Sequence, residues 1–229
     1  MEEKKRSIHL SMDSWVKAYQ EKGALFIHDG NPKRPHALLT SGNHSNGFFN
    51  SRIVCADDEL LRDAARDLLT LYSEDDGYIR HIWVVVGPQT GATKLAQVLA
   101  EEVANITGLP CDFASPAKHE EDGVKSMMFS DTDTEKVFGA SVLACEDVIT
   151  TGGSVERTID ALEAVDATIL PYVLTLVNRS GLCEIRGRRI VALIDHEMPI
   201  WTPDECPLCK QGSRAIRPKD NWTELGANY

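Results

Sequence analysis

Long apolar runs are missing from this chain of 229 residues. None approaches the ~20 residues that cross a bilayer, so no membrane-spanning helix and no membrane partner are expected. The opening Met1-Glu2-Glu3-Lys4-Lys5-Arg6 is charged and leads into no signal-peptide core, which makes the cytoplasm the expected compartment. An excess of positive charge is missing too. The formal net charge is −11, which argues against a broad nucleic-acid surface. There is no G-x-G-x-x-G, so a dinucleotide fold has no support. A P-loop is ruled out by a near miss. Gly87-Pro88-Gln89-Thr90-Gly91-Ala92-Thr93-Lys94 has Ala92 and Thr93 where that pattern needs Gly and Lys. Internal repeats and low-complexity linkers are also absent. The six cysteines are Cys55, Cys111, Cys145, Cys183, Cys206 and Cys209. Several lie in apolar strand patterns, which points to buried thiols rather than a disulfide framework. With 42% hydrophobic and 26% charged residues, the chain suits one large α/β domain, alone or with an extension.

The most informative stretch is Ser141-Val142-Leu143-Ala144-Cys145-Glu146-Asp147-Val148-Ile149-Thr150-Thr151-Gly152-Gly153-Ser154. An apolar run long enough for a buried strand is followed by two carboxylates, then a hydroxyl- and glycine-rich loop, then a helical pattern. Backbone N–H groups at that helix start, with Thr150, Thr151 and Ser154 hydroxyls, form a cradle for a phosphate. Gly152 and Gly153 let the backbone approach closely. Glu146 and Asp147 would repel a phosphate. They suit a hydroxylated ring beside it, or Mg²⁺. A sugar phosphate satisfies both halves.

Apolar periodicity predicts helices over 11–22 (Met12, Trp15, Val16, Tyr19) and after Asp57 or Asp58 (Leu61, Ala64, Ala65, Leu68, Tyr72). Two short extended pieces around a turn are expected over 38–50. A buried strand over 82–86, a helix over 90–106 and a short extended piece over 111–114 follow. Residues 115–140 are polar, with a weak hairpin pattern. Next come the motif strand (141–147), its helix (153–165), and strands over 169–177 and 190–194. This alternation predicts an α/β fold with a doubly wound, mostly parallel sheet. In such sheets ligands bind beyond the carboxyl ends of the strands, where the motif loop, Gly87–Gly91 and Arg179 all fall.

The strand, acidic pair and Thr/Gly loop resemble the phosphoribosyl-diphosphate (PRPP) site of the type I phosphoribosyltransferases. Within that family the orotate phosphoribosyltransferases are most similar. Leu39-Thr40-Ser41-Gly42-Asn43-His44-Ser45-Asn46-Gly47-Phe48-Phe49-Asn50 resembles their base-covering segment, and Arg179 falls where they place an arginine on the substrate carboxylate. The resemblance spans about 20–195. It implies a hood over 20–55 and a core over 56–195, together a domain of residues 1–195, with an irregular extension over 196–229 packed on it. It assigns PRPP to Glu146, Asp147, Thr150, Thr151, Gly152, Gly153, Ser154, Gln89, Thr90 and Gly91, and the base to Phe48, Phe49 and Arg179. Lys118, His119 and Asp147 become the catalytic residues. The implied reaction joins PRPP to a nucleobase, orotate first, with release of pyrophosphate, Mg²⁺ as cofactor and a homodimer as the working form. The same chemistry on another base, or a non-catalytic PRPP-sensing regulator, are the other readings.

The chain departs from the family in its cations. The mobile loop reads Phe113-Ala114-Ser115-Pro116-Ala117-Lys118-His119, retaining only a lysine and a histidine. Thr40 replaces the lysine before Ser-Gly, and Gln89-Thr90-Gly91 lacks the lysine of the pyrophosphate loop. Lys94 and Lys125 are the candidates to compensate. In the tail, Cys206-x-x-Cys209 is half a zinc site that His196 and Cys183, or a second subunit, could complete; the other reading is a reduced pair in a tight turn.

Overall fold

The protein is described here by a computed structural model covering residues 10–227; the charged start Met1-Glu2-Glu3-Lys4-Lys5-Arg6 lies outside the described residues. Helix α1 (Met12–Glu21) is capped by Ser11, whose hydroxyl accepts from the Ser14 N–H, and it buries Trp15 and Tyr19. The hood follows as short strands: β1 (Leu25–Ile27), β2 (His36–Leu38), β3 (His44–Ser45) and β4 (Gly47–Phe49). β1 pairs antiparallel with β4, and β2 with β3. Helix α2 (Ser51–Ala56) leads into α3 (Asp58–Glu74). Of the two candidate caps, Asp57 is the one used, accepting from the Leu60 N–H.

The core then alternates as expected. β5 (Val84–Val86), α4 (Thr93–Thr107) and β6 (Asp112–Ala114) are followed by a hairpin of β7 (Ala117–Glu121) and β8 (Val124–Met128). Its two-residue turn is Asp122-Gly123, both at positive φ, as a primed turn between twisted strands requires. A short helix, α5 (Asp131–Val137), follows the hairpin within the polar stretch, where only a hairpin pattern is expected; Ser130 caps it. β9 (Ser141–Ile149), α6 (Gly153–Glu163), β10 (Thr168–Asn178), β11 (Glu184–Ile185) and β12 (Arg188–Asp195) complete the core. The sheet order is β11-β12-β10-β9-β5-β6, parallel except for the edge strand β11.

Period-2 alternation explains why both faces are covered. Val85, Leu143, Cys145 and Leu174 point into a core shared with α1, α3 and α4. Val84, Val86 and Val142 point the other way, against Val137 of α5 and Leu162 of α6. From β5 the chain moves outward to β6, then returns to the opposite side of β5 at β9. The crevice where connections diverge therefore opens between the carboxyl ends of β5 and β9.

The tail is more ordered than expected. It forms β13 (Ile200–Trp201), α7 (Pro207–Lys210), β14 (Ala215–Ile216) and α8 (Trp222–Leu225). β13 pairs with β3 and β14 with β2, so the tail supplies both edges of a four-stranded hood sheet ordered β13-β3-β2-β14. Such short strands carry weak signals in sequence, because pairing partners far along the chain determine them. Among the described residues no helix is long and apolar enough to cross a membrane.

Candidate active site

A cleft of about 810 Å³ opens at the carboxyl ends of the parallel strands, under the hood. The loop after β5 forms one wall. Ser115 fastens it: its hydroxyl donates to the Gly87 carbonyl at 2.6 Å, while the Gln89 side-chain amide donates to the Ser115 carbonyl at 3.0 Å. The Gln89–Thr90 peptide is cis. The loop after β9 forms the opposite wall. Gly152 caps α6 at φ +83°, a conformation natural to glycine, and a Cβ there would lie 3.1 Å from Ile185.

The two walls meet at Gly91 and Asp147. A Cβ on residue 91 would lie 2.7 Å from an Asp147 carboxylate oxygen, so the loop can touch the acid only because it is glycine. Glu146, beside it, is buried and accepts from the Asp147 backbone N–H at 3.1 Å. Burial, reinforced by the Asp147 charge, pushes the Glu146 carboxyl well above the usual carboxylate range; Lys118 acts in the opposite direction. The two carboxylates thus sit between the two loops, Glu146 buried and Asp147 partly exposed.

Arg179 follows β10 and is 1% exposed. It donates to the Gly47 carbonyl at 3.0 Å and to the Ser45 hydroxyl at 2.6 Å, tying the hood to the core. Its Nε is buried without a partner. No carboxylate among the described residues forms an ion pair with it, and burial pulls its pKa down to about 10. A buried guanidinium without an anion is unfavourable by itself, so a ligand carboxylate would complete it.

The hairpin carries Lys118, His119 and Lys125 to the cleft of its own chain. Chemically, the arrangement can hold a phosphate on each side of a diol and stabilise positive charge between them.

The profile described as "Phosphoribosyl transferase domain" matches residues 56–201. The chain belongs to the phosphoribosyltransferase family. Orotate phosphoribosyltransferase of Pelotomaculum thermopropionicum is 32% identical over 211 residues, covering 91% of this chain and 97% of that one. The orotate phosphoribosyltransferase of Heliobacterium modesticaldum is 33% identical over 183 residues, 80% of this chain and 88% of its own. Among solved structures, orotate phosphoribosyltransferase from Aeropyrum pernix shares the fold with TM-score 0.57 and 22% identity, covering 78% of this chain and 92% of that one.

Every residue expected at the PRPP or base site of this phosphoribosyltransferase lines the one cleft: Gln89, Thr90, Gly91, Glu146, Asp147, Thr150, Thr151, Gly152, Gly153, Ser154, Phe48, Phe49 and Arg179, with Lys118 and His119. Phe48 and Phe49 do not form a single platform. Neighbours on a strand point to opposite faces, so Phe49 is buried edge-on against Tyr19 while Phe48 meets Trp222.

Three cations were not anticipated: Arg52, Arg157 and Lys219. Arg157 lies one turn along α6 from Gly153, a spacing that could have revealed it. Arg52 lies just beyond the Phe48-Phe49-Asn50 segment. Lys219 comes from the tail, and no local signal places it. Partial desolvation and then Arg52 lower its pKa, while Asp147 and Glu146 oppose them. Lys125 lines the cleft as expected; Lys94 does not, because Asp58 binds it.

The expected partners of the tail cysteines are wrong. Cys183 is exposed, and the His196 ring stands edge-on to Phe49. The residues beside Cys206 and Cys209 are His36 and His44, brought there by the hood hairpin.

Proposed function

We propose that this phosphoribosyltransferase converts orotate and PRPP to orotidine 5-phosphate and pyrophosphate, as the relatives named above do by their names. The observation that carries the PRPP half is the contact of Gly91 with Asp147, which sets the acidic pair between two phosphate loops. Thr150, Thr151, Gly152, Gly153 and Ser154 take the 5-phosphate; the Gln89–Gly91 loop takes pyrophosphate. Asp147 and ionised Glu146 accept from the ribose hydroxyls. Arg179 takes the orotate carboxylate, an assignment supported by its burial without an acidic partner.

The bond from C1 of the ribose to the pyrophosphate oxygen breaks, and its electron pair leaves with pyrophosphate. A ring nitrogen of the base forms the new bond to C1 and loses its proton. Lys118 and His119 meet the charge growing on the leaving group, while Asp147 faces the cationic sugar. The donors in this cleft are carboxylate and hydroxyl oxygens, which fit Mg²⁺ rather than a soft metal. Glu146 and Asp147 would hold it with the substrate, and when bound it would neutralise part of the pyrophosphate charge. The hairpin, closing over the cleft, excludes water from the sugar cation.

A homodimer is the proposed working form. It is supported by exposed Val124 and Met128 on the hairpin, and light scattering tests it. The cytoplasm is the proposed compartment, which six cysteines without a disulfide among them suit.

Pyrophosphate release in PRPP mixed with single bases is the test. Turnover with orotate is expected. Turnover only with another base, or PRPP binding without turnover, would refute the orotate assignment.

A further inference from the structure

The Cys206–Cys209 pair lies away from the cleft residues and has no part in the proposed reaction. Four side chains converge there: His36 on β2, His44 on β3, Cys206 at the start of α7 and Cys209 within it. One ligand atom from each lies within 4.8 Å of all the others. His36 Nε2 is 3.0 Å from His44 Nδ1. Cys206 Sγ is 3.5 Å from His36 Nε2, and Cys209 Sγ is 3.6 Å from His36 Nε2 and 3.2 Å from His44 Nδ1.

These separations can be set against a tetrahedral zinc ion. With Zn–N of about 2.05 Å and Zn–S of about 2.3 Å, tetrahedral angles require about 3.3 Å between nitrogens and about 3.6 Å between nitrogen and sulfur. The nitrogen pair and these three nitrogen–sulfur separations fall within a few tenths of an ångström of those values. Hydrogen-bonded imidazoles alone would explain the nitrogen pair but not two sulfurs at the same centre.

The surroundings agree. His44 lies opposite Leu38 in the antiparallel β2–β3 pair, and Leu38 is two residues from His36. Both imidazoles therefore stand on one face of the hood sheet. His36 Nδ1 is 2.8 Å from the Ser213 hydroxyl, which donates to the Arg34 carbonyl at 2.6 Å. The hydroxyl is thus left to accept from Nδ1–H, and the lone pair of His36 is placed on Nε2, facing the cysteines. His36 and Cys206 are fully buried.

We propose that His36, His44, Cys206 and Cys209 form a closed, four-coordinate structural zinc site that clips the C-terminal extension onto the hood. Two thiolates and two imidazoles select zinc over the hard cation suited to the catalytic cleft. Metal binding releases the two thiol protons and leaves no open coordination position, so the site is structural and not hydrolytic. The clip joins strands that sequence keeps far apart, β2 and β3 with the flanking β13 and β14. It also anchors the segment from which Lys219 reaches the cleft.

Elemental analysis of the purified full chain is expected to find about one zinc per chain. Cobalt exchanged into wild type should show the intense visible bands of a tetrahedral site, with thiolate charge transfer in the near ultraviolet. Cys209→Ser and His44→Asn should each reduce bound zinc at least about tenfold. Chelation of wild type should abolish hydrogen-exchange protection in 200–217 and lower Tm by about 5 °C or more. The wild-type measurements stand if the variants fail to fold. Less than about a tenth of an equivalent of metal with no tetrahedral cobalt spectrum overturns the proposal, as does a Cys206–Cys209 disulfide in the active protein.

Discussion

Arg179→Ala separates the two tasks that this arginine combines. The structural task can be sized from its two hydrogen bonds, to the Gly47 carbonyl and the Ser45 hydroxyl. A hydrogen bond from a charged donor contributes about 1.5–3 kcal/mol. The Ser45 hydroxyl also donates to the Pro199 carbonyl at 2.7 Å, so it keeps one partner when the arginine is removed. The two bonds together contribute about 3–6 kcal/mol, partly offset because removing the arginine also relieves a buried, unpaired charge, so a net stability loss of about 1–3 kcal/mol is expected. The substrate task is separate. Loss of a charge-assisted contact to the orotate carboxylate should weaken transition-state binding by about 2–4 kcal/mol, which is about 30- to 900-fold in kcat/KM.

Uracil has no carboxylate, so its turnover should fall only through loosening of the hood. The orotate-to-uracil ratio of kcat/KM is therefore the informative quantity, read beside thermal unfolding. Ser45→Ala is the control: it removes the hydroxyl's bonds with Arg179, Gly47 and Pro199 and leaves the guanidinium, so stability should fall while the ratio holds. Arg179→Lys keeps the charge but loses the planar fork, and should give an intermediate ratio. An unchanged ratio in folded Arg179→Ala, or a wild type that ignores orotate, would refute the reasoning.

Three other outcomes are expected. Asp147→Asn removes one charge with little change of shape, and activity should fall at least ~100-fold with an unchanged circular-dichroism spectrum; near-normal turnover would remove this residue from the site. Gly91→Ala puts a Cβ 2.7 Å from the Asp147 carboxylate, so the acid must move by roughly half an ångström, and kcat/KM should drop about 10- to 100-fold in a stably folded protein. Glu146 has its pKa raised in the free protein, whereas ribose and Mg²⁺ need the ionised form. PRPP binding should therefore release a proton and tighten as pH rises above the ordinary carboxylate range, by at most about tenfold per pH unit. Without ligand the sign reverses: ionising Glu146 disfavours the folded state, so its contribution to stability declines as pH rises through its folded pKa. Calorimetric titration across pH, with Glu146→Gln as the flat control, measures this.

The parts of the fold legible in sequence are those decided by local pattern. Val84–Val86 and, within β9, residues 142–145 are apolar on both faces, as a covered parallel strand is, and α3 shows its stripe and its Asp57 cap. The two loops that wall the cleft are legible for the same reason, since each is a contiguous strand–turn–helix. Less legible was whatever depends on distant partners. β13 and β14 are two residues each, and exist because β3 and β2 offer them hydrogen bonds. His36 and His44 read as isolated histidines until the tail folds back over them. Lys219 has no local pattern at all.

The cations show what this means for function. Relative to the family it resembles, the chain keeps only Lys118 and His119 of the mobile-loop cations, lacks the lysines before Ser-Gly and in the pyrophosphate loop, and carries a net charge of −11. Yet the cleft is lined by Arg52, Lys118, Lys125, Arg157, Arg179 and Lys219 against only Glu120, Glu146 and Asp147. Charges more than about 8–10 Å from a bound phosphate are largely screened at physiological salt, so these nine groups outweigh the distant acids. In this chain the positive charge at the cleft comes from the hairpin, the hood, the motif helix, the loop after β10 and the tail. A source on the tail is useful only if the tail is held. The hood strands and the Cys/His cluster hold it, which links the proposed zinc site to the charge that meets the substrate.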